Sequence, residues 1–164
     1  IFENTGLMIG LLKQLKTAEE MSNSLNYFQD NLSDDMYHKL FGLLLTDRGT
    51  EFNKPQLFEI NHETGEIRTN IFYCDAQTPS QKPHVENNHE FIRDIILKKK
   101  SMKNLTQEKM DLMFSHINSV PRKSLGGKTP YEAFEFFYGK ETLDLLNIQR
   151  IEKDKVTLQP YLLK

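Results

Sequence analysis

The chain is predicted to be a mixed α/β domain, because short apolar runs of strand character alternate along it with capped, amphipathic helical stretches. Two runs supply the strands: Phe41-Gly42-Leu43-Leu44-Leu45 and Ile71-Phe72-Tyr73-Cys74, each short and continuously apolar like a strand buried on both faces. The helices rest on two threonine–glutamate pairs, Thr17 with Glu20 and Thr129 with Glu132, each spaced to close a capping box ahead of an apolar face. At 164 residues the chain is long enough for one sizeable core.

The composition, 38% hydrophobic and 27% charged, is that of an ordinary globular protein. No apolar run approaches the roughly 20 residues of a membrane span, and no charged-then-apolar leader is seen, so no membrane partner is expected. Cys74 is the only cysteine, which rules out an intrachain disulfide or thiolate zinc cluster and fits a cytoplasmic location. With 21 basic and 23 acidic residues the formal net charge is −2, so coating nucleic acid is not the main task and any DNA contact must come from local patches. Ile1-Phe2-Glu3-Asn4 reads as the tail of a strand already under way, so a fragment is expected.

Taken in order, Leu7 to Leu12 follows the turn-like Asn4-Thr5-Gly6 and is expected to pair as a strand with the residues just before it. Thr17 opens a helix whose Met21, Leu25, Phe28 and Leu32 share one face. Phe41 to Leu45 is read as a buried central strand ending at Asp47, and Asn53 to Arg68 as a surface hairpin or long loop turning at Glu63-Thr64-Gly65. Ile71 to Cys74 is the second buried strand, broken by Asp75 to Pro79. Ser80 caps a helix with Pro83 in its first turn and Val85, Ile92 and Ile96 on its buried face, Glu86 and Arg93 lying about 100° round from that stripe. Thr106 starts a helix with Met110, Met113, Phe114 and Ile117 inward, and Thr129-Pro130-Tyr131-Glu132 starts another that Gly139 closes.

Two acids stand where chemistry could be done. Asp47 lies at the tip of an apolar strand beside Gly49, and Glu86 lies near the start of a helix. Two-metal phosphodiester cleavage needs carboxylates converging on cations roughly 4 Å apart, and magnesium suits it because it keeps positions open for water and phosphate. Taken separately, each acid has a plainer reading: an Asp before a glycine is often a turn residue, and a Glu in a first helical turn often only complements the dipole.

Three motifs tie the acids together. Thr46-Asp47-Arg48-Gly49-Thr50-Glu51-Phe52, then Glu86-Asn87 with Arg93 seven residues on, then Asn118-Ser119-Val120-Pro121-Arg122-Lys123-Ser124-Leu125 followed by Lys128-Thr129-Pro130-Tyr131-Glu132, resemble the catalytic core of DDE transposases. More narrowly they resemble the insertion-sequence group related to retroviral integrases, of the IS-thirty type. The resemblance implies a ribonuclease-H-like fold, here N-terminally truncated and lacking the first strand, with residues 1–140 as the core and 141–164 as a C-terminal extension. It implies that Asp47 and Glu86 are catalytic and bind Mg2+ or Mn2+ in a two-metal site, Asp47 as the second Asp and Glu86 as the Glu. The implied reaction is hydrolysis at transposon ends followed by attack of the freed 3′ hydroxyl on target DNA, and the implied active complex is a homo-oligomer on DNA.

The first Asp of such sites has no counterpart, since no Asp precedes Asp30, and this chain alone is expected to be inactive. Pro83 stands where relatives usually have glycine, Leu97 where they usually have proline, and no helix-turn-helix region for end recognition is present in the sequence. A catalytic core and a non-catalytic remnant keeping the fold and DNA or subunit contacts both stay open. A nuclease for RNA–DNA hybrids is disfavoured by the Thr129-Pro130 tail. Lys98, Lys99, Lys100 and Lys103 form one basic cluster and Arg122, Lys123 and Lys128 another; either could hold phosphates, or simply be solvated. Arg93 could hold the Glu86 carboxylate or a DNA phosphate, with an intrahelical ion pair as the alternative. His84 and His89 flank Glu86 but lack ligand partners for zinc, and Glu51 is near enough to Asp47 to enter the crevice, though a surface acid in a turn is the simpler reading.

Overall fold

The computed structural model describes residues 1–75, 83–97 and 104–163, and the side chains of 83–87 fall outside the description. The chain forms two compact units, one of residues 13–81 and one of residues 1–12 with 82–164.

In the unit 13–81, helix α1 (Ala18–Asn31) starts where Thr17 takes the amide of Glu20 on its side chain, at 3.2 Å. Only this half of the expected capping box forms, and the Glu20 carboxylate lies 3.9 Å from the ammonium of Lys13. Leu25, Phe28 and Leu32 are buried as the periodicity requires. Helix α2 (Asp34–Phe41) is an element that the strand patterning did not disclose. Ser33 caps it, Asp34 and Asp35 complement its N-terminal dipole, and Tyr37, Leu40 and Phe41 are buried, with Phe28 stacked on Phe41 at 4.7 Å. Gly42 ends it by donating its amide to the carbonyl of His38 at 3.0 Å.

Strand β1 is therefore shorter than expected, Leu43–Thr46, because Phe41 belongs to the helix. It pairs in parallel with β2 (Asn70–Tyr73), Leu43 opposite Asn70 and Thr46 opposite Tyr73. The expectation of strands buried on both faces is corrected. Leu43, Leu45 and Phe72 are 62%, 47% and 53% exposed, so alternate side chains leave the core on one face of a two-stranded sheet. Between the strands, the predicted hairpin or loop is partly a short helix, α3 (Pro55–Glu59), with Pro55 in its first turn; a single antiparallel bridge, Ile60 to Ile67, then closes the turn at residues 61–66.

In the other unit the expected strand at Leu7–Leu12 is also corrected: only Leu7 bridges, antiparallel to Phe2. The rest is extended chain whose backbone groups bond to side chains of helix α5 (Gln107–Asn118). Asn118, fully buried, takes the amide of Met8 on Oδ1 at 2.8 Å and donates Nδ2 to the Met8 carbonyl at 2.7 Å. Gln107 likewise accepts from the amide of Leu12 and donates to the carbonyl of Gly10, both at 2.8 Å. Gln107 and Asn118 are eleven residues apart, within about 20° of each other around the helix, so one helix face offers two amides in the manner of a neighbouring strand. Gly10 lies against the ring of Phe114, where a Cβ would not fit.

Helix α4 (Pro83–Ile95) lies where a helix was expected, but its described buried positions are Asn88 and Ile95 rather than a stripe through Ile92 and Ile96, which are half-buried. The Ser80 cap lies outside the described residues. Helix α5, capped by Thr106, carries Met113, Phe114 and Ile117 inward. Helix α6 (Pro130–Tyr138) has the complete capping box: the amide of Thr129 donates to the Glu132 carboxylate at 2.9 Å, and that of Glu132 to the Thr129 hydroxyl at 3.1 Å. Such a cap stabilises a helix by about 1 kcal/mol. Gly139, at φ 82°, ends α6 and leads into α7 (Lys140–Leu145). Leu143 and Ile148 are almost fully buried, so part of the segment read as an extension contributes to this unit's core.

Candidate active site

The site is built from the end of β1 outward. Thr46 closes the strand with its side chain buried, and its carbonyl accepts the amide of Cys74 at 2.8 Å, so the parallel ladder runs up to the residue before Asp47. Asp47 then leaves the strand exposed to solvent. Its Oδ1 accepts the amide of Gly49 at 3.1 Å, the local bond that an aspartate makes in a turn. That bond fixes the carboxylate at the strand end while leaving the residue open.

The loop behind Asp47 is fastened at several points. Residues Thr50–Phe52 form a 3-10 turn, in which the Phe52 amide reaches the Gly49 carbonyl at 2.9 Å. The phenol of Tyr73 on β2 donates to the Phe52 carbonyl, and the Phe52 ring packs on Phe58 of α3 at 5.7 Å. Lys54 pairs with Glu19 of α1.

Glu51 is where sequence reasoning fell short. Far from being a surface acid, its side chain is 13% exposed, its carboxylate lies 3.1 Å from the Lys16 ammonium, and Oε2 is buried with no hydrogen-bond partner. The backbone amide of Glu51 holds its carboxyl below the ordinary range, with Lys16 helping, against its burial and the nearby charge of Asp47. No spacing rule signals this; only the fold brings Lys16 to the loop.

The other expected ligand, Glu86, is in α4 and so in the second unit, and its side chain is outside the described residues. Arg93, seven residues on, is exposed, as are Glu90 and His89. Lys98, Lys99, Lys100 and Lys103 lie outside the described residues. Lys123 and Lys128 are exposed around the loop at Gly126 and Gly127, both of which take positive φ. Arg122 is different. Its guanidinium lies 3.9 Å from the centre of the Phe91 ring and donates Nη2 to the Ile117 carbonyl at 3.1 Å, with Nη1 buried, so it joins α4 to the end of α5. Burial brings its pKa down to about 10, which leaves it charged at neutral pH.

Among the described residues no group of three or more His, Cys, Asp or Glu side chains is placed to hold a metal ion. The donors that can be assigned, carboxylate oxygens at a rigid strand end, are of the hard type that Mg2+ and Mn2+ take, and they are unsuited to a soft, thiolate-bound metal.

A strand-end acid followed by a glycine turn, the Glu-Asn pair on a helix and the Pro-Arg-Lys loop before a capped helix resemble features of insertion-sequence transposases, and similarity to known proteins points to the same class. Over 92 residues the chain is 36% identical to the transposase InsI for insertion sequence element IS30A of Escherichia coli (strain K12), a match covering 56% of this chain and 23% of that transposase. The InsI transposase for element IS30C of the same organism matches to the same extent. ORF3 of Spiroplasma virus SpV1-R8A2 B, provisionally described as an integrase, is 29% identical over 119 residues, 72% of this chain and 34% of that protein. The chain is a homologue of the IS30-type transposases, and it spans less than a quarter of the length of those it matches. No family model matches it. No solved structure matches it.

Proposed function

We propose that the chain is part of the catalytic core of an insertion-sequence transposase with a ribonuclease-H-like fold, acting on DNA as a homo-oligomer in the cytoplasm. In this reading Asp47 and Glu86 hold Mg2+ or Mn2+ for phosphodiester cleavage and strand transfer. The observation that carries the reading is the place of Asp47, held by a turn at the exposed end of a strand, in a chain related to IS30-type transposases. The parallel pairing of β1 with β2 supports the fold. Among the described residues no helix is long and apolar enough to cross a membrane.

A divalent cation bound there would activate the attacking oxygen and offset the charge that develops on the phosphate. In that case Asp47 and Glu86 would supply its carboxylate ligands, and Arg93 and Lys123, both exposed, with Lys98, Lys99, Lys100 and Lys103, would hold flanking phosphates. Arg122 contributes by fixing the loop that carries Lys123.

Residues 1–164 alone are expected to give no strand transfer with Mg2+ or Mn2+, because two carboxylates leave one cation position under-coordinated. They are expected to bind unrelated duplexes weakly, with little sequence preference and a strong loss on adding salt. Affinity measured over a salt series, for the wild type and for Lys98, Lys99 and Lys100 changed to alanine, tests the DNA contact. Tight binding to one sequence, or no loss without the lysines, would count against it, and robust joining would reveal a ligand that the assignment omits.

A further inference from the structure

We propose that Glu51 is a positioning residue for Asp47: its carboxylate, drawn in by Lys16 and packed on the bare Cα of Gly49, sets the turn whose amide orients the Asp47 carboxylate. The inference rests on the metal-binding reading of Asp47 and adds to it a residue that is not itself a ligand.

Gly49 is the starting point. Its backbone, at φ −62° and ψ 152°, is one that any residue adopts, so conformational freedom does not explain a glycine here. Space does. A Cβ at position 49 would lie 2.6 Å from Oε2, 2.8 Å from Cδ and 3.0 Å from Oε1 of Glu51, so the carboxylate occupies the volume that any other side chain would need. Lys16 holds it there from the outer side at 3.1 Å, and the burial of Oε2 without a partner shows how far the group is pressed into the loop.

The consequence passes through two backbone groups of Gly49. Its carbonyl accepts the Phe52 amide at 2.9 Å and so belongs to the 3-10 turn that carries Glu51, and its amide donates to Asp47 Oδ1 at 3.1 Å. Moving the Glu51 carboxylate therefore moves the peptide that aims Asp47. Groups that orient a metal ligand from behind typically carry about 10-fold to 100-fold in metal affinity.

The test uses the full chain with Gly49→Ala, Glu51→Ala, Glu51→Gln and the double variant Gly49→Ala/Glu51→Ala. Two quantities are read: exchange protection of the residue-49 amide in metal-free protein, and affinity for Mn2+. Gly49→Ala and Glu51→Ala are each expected to lose amide protection and about 10-fold in Mn2+ affinity. The double variant is expected to be no worse than Glu51→Ala, since the new methyl enters the vacated space, and Glu51→Gln, which keeps the shape, is expected to recover most of the loss. Multiplying losses in the double variant, or unchanged protection in Glu51→Ala, would overturn the proposal. So would a Gln variant as poor in Mn2+ binding as Ala, because the carboxylate would then be acting on the cation directly. If the wild type failed to bind Mn2+ while the protection pattern held, the metal reading of Asp47 would fall and the positioning of its turn would stand.

Discussion

Replacing Arg68 with methionine is expected to destabilise the unit that carries Asp47 by about 3–5 kcal/mol. Arg68 is only 3% exposed, just ahead of β2. Its Nε donates to the Phe58 carbonyl at 2.9 Å and its Nη2 to the Leu57 carbonyl at 2.7 Å, while Nη1 reaches Gln29 Oε1 at 3.1 Å and also Asn26 Oδ1. These acceptors are neutral, so the planar fork of donors, not a salt bridge, stabilises the buried cation. Burial pushes its pKa down, with the nearby Tyr37 and Asp30 acting in the opposite direction. Methionine fills much of the same volume but strands two backbone carbonyls and two side-chain amides, and each unmet buried acceptor costs about 1–3 kcal/mol. The bonds join α1 and α3 to the start of β2, and thus set the strand against which β1 and Asp47 are registered. The chain has no tryptophan, so urea unfolding followed by circular dichroism is the suitable measurement. A loss below about 1 kcal/mol, the worth of one ordinary hydrogen bond, would mean that water replaces the lost donors and that the clamp is not what the fold rests on.

Glu86→Gln is expected to abolish cleavage and joining in a longer version of the chain that carries an acid-bearing strand ahead of Ile1, whereas Glu90→Gln should leave substantial activity. The loss for Glu86 should exceed the roughly 100-fold that outer groups carry, because a neutral amide oxygen cannot replace a charged ligand. The two acids sit four apart in α4, within about 40° around its axis, so the substitutions disturb the helix alike. Glu90 lies just over one turn further along, about 6 Å, too far to serve the same proposed cation without moving the helix. Duplex binding without sequence preference should survive both changes. The opposite ranking would place the motif one helical turn out of register and remove Glu86 from the site.

Helices α1, α5 and α6 were legible because periodic apolar residues coincide with threonine caps, so local and tertiary preferences agree. Helix α2 was not: its last buried residues, Leu40 and Phe41, run directly into the apolar β1, and only Gly42 marks the join. The exposure of Leu43, Leu45 and Phe72 was hidden for a related reason, since a continuous apolar run does not say which face a neighbour covers. The extended stretch after Leu7 had strand character, but its hydrogen bonds go to Asn118 and Gln107, about a hundred residues away in sequence. At the candidate site, the place of Asp47 just past a strand end was legible from the apolar run that precedes it. The burial of Glu51 depends on Lys16, which no local pattern connects to it, and the inward turn of Arg122 depends on the ring of Phe91.

The proposal that Asp47 and Glu86 hold the same divalent cations can be checked by paramagnetic broadening by Mn2+ in the isotopically labelled full chain. Substoichiometric Mn2+ is expected to broaden the amide resonances of residues 46–49 and 85–88 together, and either Asp47→Asn or Glu86→Gln to suppress the broadening at both. Broadening confined to one of the two segments, or its persistence at one after the other acid is removed, would contradict a shared site.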